Sequence, residues 1–429
     1  MMGGVVFICF ALLVFLGLPI GVAIGVPTLL PTLMDPKFAG NTSAIIRYLA
    51  SALDNITTLA LPLFMLSGAI MARGGLSKKL FDVFAYIVGK RTAGLPCAVI
   101  ITCIFYGAIS GSGPATTAAV GAMCIPLLIR LGYNKNFAAA MVAVAGSLGV
   151  VIPPSLIFVM FGVTTGESVG DLFIAGIIPG ILIGLSLMIW AYIYCKRNGE
   201  DKAKIEANYA ALKARGFWKV FKDGFWALLT PVIILGGIYS GIVTPTEAAC
   251  LSVFYALIVS LFIYKTMRIR DIRKFLMEAI NSYTPMCLLL AFAIAFSRVL
   301  TLLKAPQMLS AFLGSAFGSA TTFLIAVNIA MFIIGMFMDT GSVLTILAPL
   351  LIVTVKDLGI SPIHFAVMMT CNLAVGLSTP PFGLDLFVVA PLVESEASVV
   401  GKYAIPFILC FVVALVLIIF IPQISLCLL

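Results

Sequence analysis

The sequence has very few charged side chains. Of its 429 residues only 10% are Asp, Glu, Lys or Arg, whereas 62% are hydrophobic. A typical soluble domain carries about 25% charged residues, so this chain has too little polar surface to be covered by water. Lipid must replace water around much of it. Because the apolar runs are long and do not alternate at period two, the sequence predicts an all-α polytopic membrane protein rather than a barrel.

The residue types that build reactive or metal centres are also scarce. His364 is the single histidine, and the ten cysteines include no Cys-x-x-Cys pair. We therefore interpret His364 as a loop or interface residue and the cysteines as small apolar residues. The sequence has no His-Glu-x-x-His or Gly-x-Ser-x-Gly motif, and neither Gly-Lys pair lies in a nucleotide-binding loop. These absences argue against a membrane-embedded enzyme and against an ATP-driven pump.

The net charge of +9 is concentrated in two polar stretches, at 196–222 and 265–274. Positive charge confined to loops between apolar segments marks the cytoplasmic side of a membrane protein, so we do not expect a nucleic-acid partner. The first 34 residues are apolar but lack a basic leading region and a small-residue cleavage site. They predict a retained first span rather than a removed signal peptide.

Four of the apolar segments are interrupted near their centres by glycine, proline and hydroxyl residues. The interruptions are Ser-Gly-Ser-Gly-Pro at 110–114, Gly149 with Pro153-Pro154, Asp-Thr-Gly-Ser at 339–342, and Gly-Leu-Ser-Thr-Pro-Pro-Phe-Gly at 376–383. The predicted segments are 5–33, 57–72, 93–129, 137–166, 172–195, 224–241, 245–264, 279–303, 321–350, 363–393 and 403–427.

The interruptions belong to an internal repeat. At a constant offset of 227, residues 138–182 match residues 365–409 at eleven of 45 positions, without a gap. Gly149 aligns with Gly376, and the Pro-Pro pair at 153–154 aligns with the pair at 380–381. Slightly upstream, Gly107 and Gly113 align with Gly335 and Gly341 at offset 228. Each half therefore predicts a broken segment, a span broken by Gly and Pro-Pro, and a final span.

Charge placement predicts that the two halves are inverted. The basic stretch at 196–222 places the end of 172–195 in the cytoplasm. The segment at 93–129 lies between Lys90-Arg91 and Arg130, so we expect a hairpin that opens to the cytoplasm. Following the spans onward, 321–350 becomes a hairpin that opens outside. Two inverted-topology repeats with re-entrant helical hairpins and discontinuous helices are typical of secondary transporters.

The interruptions supply the chemistry of an ion site. A helix broken in hydrocarbon leaves backbone groups unpaired unless protein, water or ligand satisfies them. Free carbonyls together with hydroxyls and Asp339 are hard oxygen ligands suited to a small hard cation, and half-helix N-termini attract anions. The hydroxyl and carboxylate residues at the tips are Ser110, Ser112, Asp339, Thr340 and Ser342. The alternative is that Gly and Ser only permit close helix packing.

Charges predicted inside the membrane are few and each has two interpretations. Asp339 is our candidate cation ligand, whereas Asp385 either lines a site or pairs with a residue of the surrounding scaffold. Arg298 lies towards the outer end of its span, where we favour snorkelling over contact with an anion. Glu167 and Glu394 follow their spans, and we expect them to be solvated.

At this point the chain resembles a known family. The stretches Gly-Ser-Gly-Pro-Ala-Thr-Thr at 111–117, Gly-Val-Val-Ile-Pro-Pro-Ser at 149–155 and Gly-Leu-Ser-Thr-Pro-Pro-Phe-Gly at 376–383 are similar to those of the large membrane subunit (M subunit) of tripartite ATP-independent periplasmic (TRAP) transporters. The resemblance covers essentially the full length. It implies an elevator-type ion-transporter fold. We expect scaffold at 1–92, 172–320 and 399–429, and mobile transport half-domains at 93–171 and 321–398.

The resemblance also implies function, sites and partners. It implies sodium-coupled import of an organic acid, sialic acid or a dicarboxylate, across the bacterial inner membrane, with Na+ as the coupling ion. A periplasmic substrate-binding protein (P subunit) would deliver the acid, and a separate small membrane subunit (Q subunit) would accompany this chain. The implied sodium ligands are Ser110, Ser112, Gly149, Ile152 and Pro154 in one site and Asp339, Thr340, Gly376, Ser378 and Thr379 in the other. The implied substrate contacts are Ser112, Thr116, Ser155, Pro381 and Asp385.

Two other functions remain open at this stage. A passive channel predicts flux without saturation or sodium dependence, whereas a carrier predicts both. A membrane assembly subunit that transports nothing would leave the broken helices unexplained.

Overall fold

The computed structural model describes residues 2–35, 38, 41–73, 76–317 and 319–429. In these residues the secondary structure is helical throughout, without a strand. Seven helices are long and apolar enough to cross a membrane, or eight if the bent pair Thr42–Leu53 and Ile56–Ala72 counts as one span. The prediction of an all-α polytopic membrane protein is confirmed.

The helices follow one another through short connections. In chain order they are α1 (Met2–Phe15), α2 (Ile20–Met34), α3 (Thr42–Leu53), α4 (Ala60–Arg73), α5 (Leu76–Val88), α6 (Gly94–Ser110), α7 (Gly113–Arg130), α8 (Lys135–Gly146), α9 (Leu156–Thr165), α10 (Val169–Asn198), α11 (Lys202–Ala214), α12 (Phe217–Tyr239), α13 (Pro245–Ile258), α14 (Ile272–Leu302), α15 (Ala305–Phe317), α16 (Ala320–Gly335), α17 (Thr340–Asp357), α18 (Pro362–Gly376), α19 (Leu384–Val389), α20 (Ala397–Phe420) and α21 (Gln423–Leu426). Short 3-10 turns follow α8 at Ser147–Val150 and α19 at Ala390–Val393.

The structure differs from the sequence prediction in three places. The apolar run 5–33 is two helices, because the chain leaves helical geometry between Phe15 and Ile20, where Gly17 has a positive φ and Pro19 precedes α2. The basic stretch 196–222 is not a plain loop, since it contains α11 and the start of α12. The prediction also missed α15, which follows α14 after a turn at Leu303 and Lys304.

The interrupted segments break close to the predicted places. Only Gly111 and Ser112 separate α6 from α7, and residues 377–383 separate α18 from α19. The break in the segment 321–350 lies at 336–339, earlier than predicted, because Asp339 caps α17 and the helix begins at Thr340. Asp339 Oδ2 accepts a hydrogen bond from the Ser342 amide at 3.2 Å, which draws the residues after it into the first helical turn.

The two halves repeat the same order of elements. Helices α7 and α17 each have 18 residues, and their first residues differ by 227 when their capping residues Ser112 and Asp339 are aligned. At the same offset α8 begins at Lys135 and α18 at Pro362. Both Pro-Pro peptide bonds, in the breaks that follow these helices, are cis. The repeat predicted from the sequence thus reappears in the bounds of the helices.

The halves interlock through polar contacts between segments far apart in the chain. Ser378 Oγ donates to the carbonyl oxygen of Ala143 at 3.0 Å. Lys135 Nζ donates to the carbonyl oxygen of Val393 at 2.9 Å. Helices α6 to α9 and α16 to α19 also pack against one another. Outside this group, α4 packs most extensively on α13, α5 packs on both α6 and α12, and α14 packs on α2, α3 and α4. The repeated segments therefore lie together in one part of the molecule.

Candidate functional site

The tip of the hairpin formed by α6 and α7 is a cluster of hydroxyl and carbonyl oxygens. Ser110 Oγ lies 2.8 Å from Thr116 Oγ1 and 3.2 Å from the carbonyl oxygen of Ser112. Thr116 Oγ1 donates to that same carbonyl oxygen at 2.8 Å. Ser110 and Thr116 are buried, and Ser112 is half-buried. The short break brings these three residues together because Gly111 adopts a positive φ of 63°.

Gly149 lies directly against this cluster. A methyl group at Gly149 would come within 2.5 Å of Thr116 Oγ1 and 2.6 Å of the Ser112 carbonyl oxygen. On the α6 side, a methyl group at Gly107 would come within 2.8 Å of the Gly149 Cα atom. Only residues without a side chain permit this approach of two backbones and a hydroxyl cluster. The structure therefore brings together Ser110, Ser112 and Gly149 of the first predicted ion site.

The remaining residues of the first break surround that cluster in different ways. A methyl group at Gly111 would lie 2.9 Å from the Pro154 carbonyl oxygen, so Pro154 adjoins the tip. The Ile152 side chain points away, against Gly180 of α10, and only its backbone could act as a ligand. Ser155 is fully buried, donates to the Val150 carbonyl oxygen at 2.5 Å, and accepts from the Phe158 amide to cap α9.

The second half repeats the close approach of two glycines. A methyl group at Gly376 would come within 2.7 Å of the backbone of Gly335, which ends α16. Beside it, Thr379 Oγ1 donates to the Val375 carbonyl oxygen at 2.7 Å, and Ser378 reaches across to Ala143 as described above. Thr340 Oγ1 is buried and has no hydrogen-bond partner among the residues that the structure describes. Gly335 was not among the predicted ligands. Its alignment with Gly107 in the repeat was the sequence signal that could have identified it.

Asp339 lies apart from the glycine pair. Its carboxylate caps α17, and the residue is exposed. With Ser342 it lines a largely apolar cavity of about 440 Å³ between α2 and α14. Within the described part of the chain, no hydrogen bond joins Asp339 to residues 376–379. Of the residues predicted for the second ion site, the structure gathers Gly376, Ser378 and Thr379 in one break, whereas Asp339 lies outside that break at the start of α17.

Pro381 and Asp385 differ in their surroundings. Pro381 is exposed, as is the adjacent Phe382, whose ring lies 5.5 Å from that of Phe337 at the other hairpin tip. Asp385, in the first turn of α19, is fully buried, and among the described residues neither of its carboxylate oxygens forms a well-oriented hydrogen bond. Of the two interpretations of Asp385, pairing with a scaffold residue is wrong for the residues that the structure describes.

Arg298 lines a cavity with a mixed polar and apolar wall beside the repeated segments. This cavity has a volume of about 330 Å³ and lies between α9, α14, α15 and α17. Its polar lining residues are Thr164, Thr165, Ser297, Arg298, Thr301 and Gln307. Sequence reasoning favoured snorkelling for Arg298, because the sequence does not reveal which neighbours face it. A cavity with one guanidinium and several hydroxyls is suited to bind a small anion.

The polar ends of the helices carry contacts that the sequence did not predict. Glu200 accepts hydrogen bonds from Tyr133 Oη at 2.5 Å and from the Ala93 amide at 3.0 Å. Burial and the neighbouring Glu200 raise the pKa of Tyr133 well above its usual range. Glu167 is not simply solvated, because it forms an ion pair with Lys356. His364 is buried, with Nδ1 at 3.3 Å from Ser425 Oγ.

Comparison with known proteins identifies relatives along the whole chain. The chain is 39% identical over 375 residues to the C4-dicarboxylate TRAP transporter large permease DctM of Pseudomonas aeruginosa, covering 87% of this chain and 86% of that protein. It is 31% identical over 417 residues to the sialic acid TRAP transporter large permease SiaM of Vibrio cholerae, covering 96% and 95%. It is 36% identical over 420 residues to the isethionate TRAP transporter permease DctMQ of Oleidesulfovibrio alaskensis, covering 98% of this chain but only 65% of that protein.

Two solved transporter structures share the fold. The YdaH transporter of Alcanivorax borkumensis superposes with a TM-score of 0.59 at 17% identity, covering 87% of this chain and 88% of that one. MtrF of Neisseria gonorrhoeae superposes with a TM-score of 0.58 at 15% identity, covering 89% and 85%. At these identities the likeness concerns the fold alone.

The family described as "Tripartite ATP-independent periplasmic transporter, DctM component" matches residues 7–424, which is nearly the full length. Its members are transport proteins of the inner membrane rather than enzymes. This multi-pass inner-membrane chain belongs to the DctM-component family of tripartite ATP-independent periplasmic transporters.

Proposed function

We propose that this chain is the carrier subunit of a sodium-coupled uptake system for a small organic anion. The observation that carries the proposal is the oxygen cluster at the tip of the first hairpin. Residues 110–116 supply its oxygens, and Gly149, from a separate stretch of the chain, packs directly against them. Backbone carbonyls and hydroxyls collected at a helix break are the ligands that discontinuous transporter helices offer to sodium. A passive channel has no need for such a closed cluster.

The first sodium ion is assigned to Ser110, Ser112 and the backbone of the Gly149 to Pro154 break. The Ser110 hydroxyl and the Ser112 carbonyl already lie within 3.2 Å of each other, so a cation between them requires little rearrangement. Thr116 completes the cluster, so its first role is with the ion rather than with the substrate. The burial of Ser110 and Thr116 excludes competing water.

The second sodium ion is assigned to the corresponding place in the other half. The backbone of Gly335 and Gly376 and the side chain of Thr379 meet there, and the unpartnered Thr340 hydroxyl begins the adjacent helix α17. Asp339 is assigned the role of adding negative charge near this site and not that of a direct ligand, since its carboxylate caps α17. The support for two related ions is the matching approach of Gly107 to Gly149 and of Gly335 to Gly376.

The substrate site is assigned to the cavity that contains Arg298. The relatives compared with this chain are named for C4-dicarboxylate, sialic acid and isethionate, each an organic anion. A guanidinium pairs with a carboxylate or a sulfonate through two parallel hydrogen bonds. The cavity lies between α9 and α17 of the repeated segments and α14 and α15 of the predicted scaffold. A site at such a boundary can open to either side when the two parts move.

Alternating access is proposed to follow an elevator movement of two inverted halves. The contacts of Lys135 with Val393 and of Ser378 with Ala143 join residues 93–171 to residues 321–398, which favours their movement as one body. The predicted scaffold touches this body at the hairpin tip, where a methyl group at Gly68 of α4 would lie 3.2 Å from Ser110 Cα. Glycine at this contact leaves a smooth surface for sliding.

The family description implies two partners that complete the system. These are the small membrane subunit (Q subunit) and the periplasmic substrate-binding protein (P subunit), which would deliver the anion. The test is uptake into proteoliposomes that contain all three components, driven by an imposed sodium gradient. We expect saturable uptake of one organic acid from a panel of dicarboxylates, sugar acids and sulfonates. Saturable uptake that is indifferent to sodium would contradict the coupling, and non-saturable flux would identify a channel.

The elevator movement has a separate test. Cysteines introduced as Gly68→Cys and Ser110→Cys would lie close enough to form a disulfide in the present conformation. We expect the rate of cross-linking to change when sodium and substrate are added, because the hairpin tip then moves along α4. Because Ser110 is itself assigned to the first sodium ion, the control is the Ser110→Cys single variant, which must still bind 22Na+ for the cross-linking result to count. A rate that sodium and substrate leave unchanged would contradict sliding at this contact.

A further inference from the structure

Asp385 is a carboxylate with no compensation in its surroundings. It lies in the first turn of α19, it is 0% exposed, and neither of its oxygens forms a well-oriented hydrogen bond within the described part of the chain. Its amide donates to the Leu377 carbonyl oxygen at 2.8 Å, which fixes the backbone but leaves the side chain free. The ion pairs found in the described residues do not include it. A buried carboxylate without a partner is among the most costly arrangements in a folded protein.

A second orphaned oxygen lies beside this carboxylate. Thr117, on the second turn of α7, is fully buried, and its hydroxyl forms no well-oriented hydrogen bond among the described residues. It faces the Asp385 carboxylate closely enough to interact with it, but the geometry does not complete a hydrogen bond between them. Three oxygens from two side chains therefore converge without satisfying one another. Buried polar atoms are satisfied in nearly all cases, so such a group points to a missing water molecule or ion.

The walls of this small site are built from glycine. A methyl group at Gly113 would lie 3.5 Å from Asp385 Oδ2 and 3.3 Å from Ser147 Cα. A methyl group at Gly146 would collide with the Thr117 hydroxyl. These two glycines, on α7 and α8, keep open the space into which the oxygens point. Of the ionisable groups on the neighbouring α6, Cys103 lies within electrostatic range of Asp385, and a thiol cannot supply positive charge.

We propose that Asp385 and Thr117 form an additional sodium site inside the transport domain, separate from the two sites at the helix breaks. The inference rests on the proposed function, since it adds an ion to a sodium-coupled carrier. A hard monovalent cation neutralises the carboxylate and satisfies all three oxygens at once, as water alone does not. Because Thr117 lies in the first half and Asp385 in the second, the ion also joins the two halves of the repeat.

The proposed Asp385 site differs in charge from the two proposed sites at the helix breaks. The first break site consists of neutral hydroxyls and carbonyls, and the second has a carboxylate only nearby, at Asp339, whereas this site contains a carboxylate as a direct ligand. An anionic ligand favours tighter binding of a cation than neutral oxygens do. We therefore expect this site to fill first as sodium is raised and to order the interface between α7 and α19 before substrate binds.

The experiment measures sodium binding directly, with the purified full-length chain and radioactive 22Na+. The variants are Asp385→Asn, which keeps the shape of the side chain but removes its charge, and Thr117→Val, which removes only the hydroxyl. The matched control is Asp171→Asn, a half-buried carboxylate in the first turn of α10. We expect Asp385→Asn to bind one sodium ion fewer than the wild type, and Thr117→Val to weaken the tightest site about tenfold. The control should bind as the wild type does.

Other outcomes are distinguishable. An unchanged number of sodium ions in Asp385→Asn would overturn the site and leave a bridging water as its occupant. Loss of a pH-dependent proton uptake, instead of a sodium ion, would also overturn it and would make Asp385 a proton carrier. If Asp385→Asn does not fold, Thr117→Val and Thr117→Ser decide, because only the serine variant should keep the affinity. Sodium binding at Asp385 without sodium-driven uptake would support this site while contradicting the proposed function.

Discussion

Lys356 Nζ lies 2.9 Å from Glu167 Oε1. Glu167 follows α9 in the first half of the repeat, and Lys356 lies in the last turn of α17 in the second half. The related contact elsewhere joins Lys135, at the start of α8, to the carbonyl oxygen of Val393. In each half, a lysine thus binds the end of the broken span of the other half. This reciprocal pattern joins three of the four interrupted segments, at two separate places.

The ion pair between Glu167 and Lys356 should contribute modestly to stability. The side chains are 21% and 55% exposed, so solvent screens their attraction. Replacing Glu167→Gln or Lys356→Gln should each lower the free energy of unfolding by at most about 1 kcal/mol. A double-mutant cycle in detergent at low and high salt measures the coupling energy. We expect that energy to shrink at high salt, and a salt-independent coupling would assign the contact another basis.

Gly149→Ala should damage the first ion site. Its methyl group would come within 2.5 Å of the Thr116 hydroxyl and must displace the hairpin tip. Overpacking of this kind costs about 1–3 kcal/mol of stability. We expect the sodium concentration for half-maximal uptake to rise, measured in proteoliposomes. Gly236→Ala, on a part of α12 where a methyl group meets nothing within 4 Å, is the control and should behave as the wild type.

Arg298→Gln should weaken substrate binding without changing sodium binding. Loss of a charge-assisted pair costs about 1.5–3 kcal/mol, which raises the Michaelis constant for the organic anion by roughly tenfold or more. Arg298→Lys should recover only part of the affinity, since an ammonium cannot form two parallel hydrogen bonds. Uptake kinetics and 22Na+ binding are the two measurements. Equal Michaelis constants for wild type and Arg298→Gln would remove Arg298 from the substrate site.

Cysteine labelling tests the predicted orientation of the helices. In a background that carries Cys427→Ser, which removes the exposed cysteine, Ala210→Cys on α11 should react with a membrane-impermeant reagent only in inside-out vesicles. Thr321→Cys, at the start of α16, should react only in right-side-out vesicles. The pattern follows from the positive charge around α11. Labelling of both sites from the same side would contradict the inverted arrangement.

Glu200→Ala should destabilise the junction of α6, α7 and α10. It leaves the Tyr133 hydroxyl and the Ala93 amide without their acceptor. An unsatisfied buried donor costs about 1–3 kcal/mol, so thermal unfolding should begin at a lower temperature. Tyr133→Phe, which removes one donor together with its need for an acceptor, should cost less. Glu206→Ala, on the exposed face of α11, is the control, and an equal loss in that variant would contradict this role of Glu200.

The sequence predicted the interrupted segments well for a physical reason. Hydrocarbon penalises every unpaired backbone group, so glycine and tandem proline within an apolar run are strong signals of a break. The break at Gly111 and Ser112 and the one before α19 are where the composition indicated. The break near Asp339 was placed too late because the capping role of that carboxylate depends on local geometry. The helix α11 was missed because charge, rather than periodicity, dominated the interpretation of its segment.

By itself, the sequence determined that this chain is embedded in a membrane, at which positions its helices break, and that its two halves repeat. Each of these properties follows from the residue types along the chain, because local residue type decides how well lipid solvates the backbone and side chains. Only the tertiary structure decided that Gly107 meets Gly149, that Arg298 faces a polar cavity, and that Asp385 points at Thr117. These relationships join residues far apart in sequence. They depend on the rotation of each helix about its axis, which packing against distant helices sets.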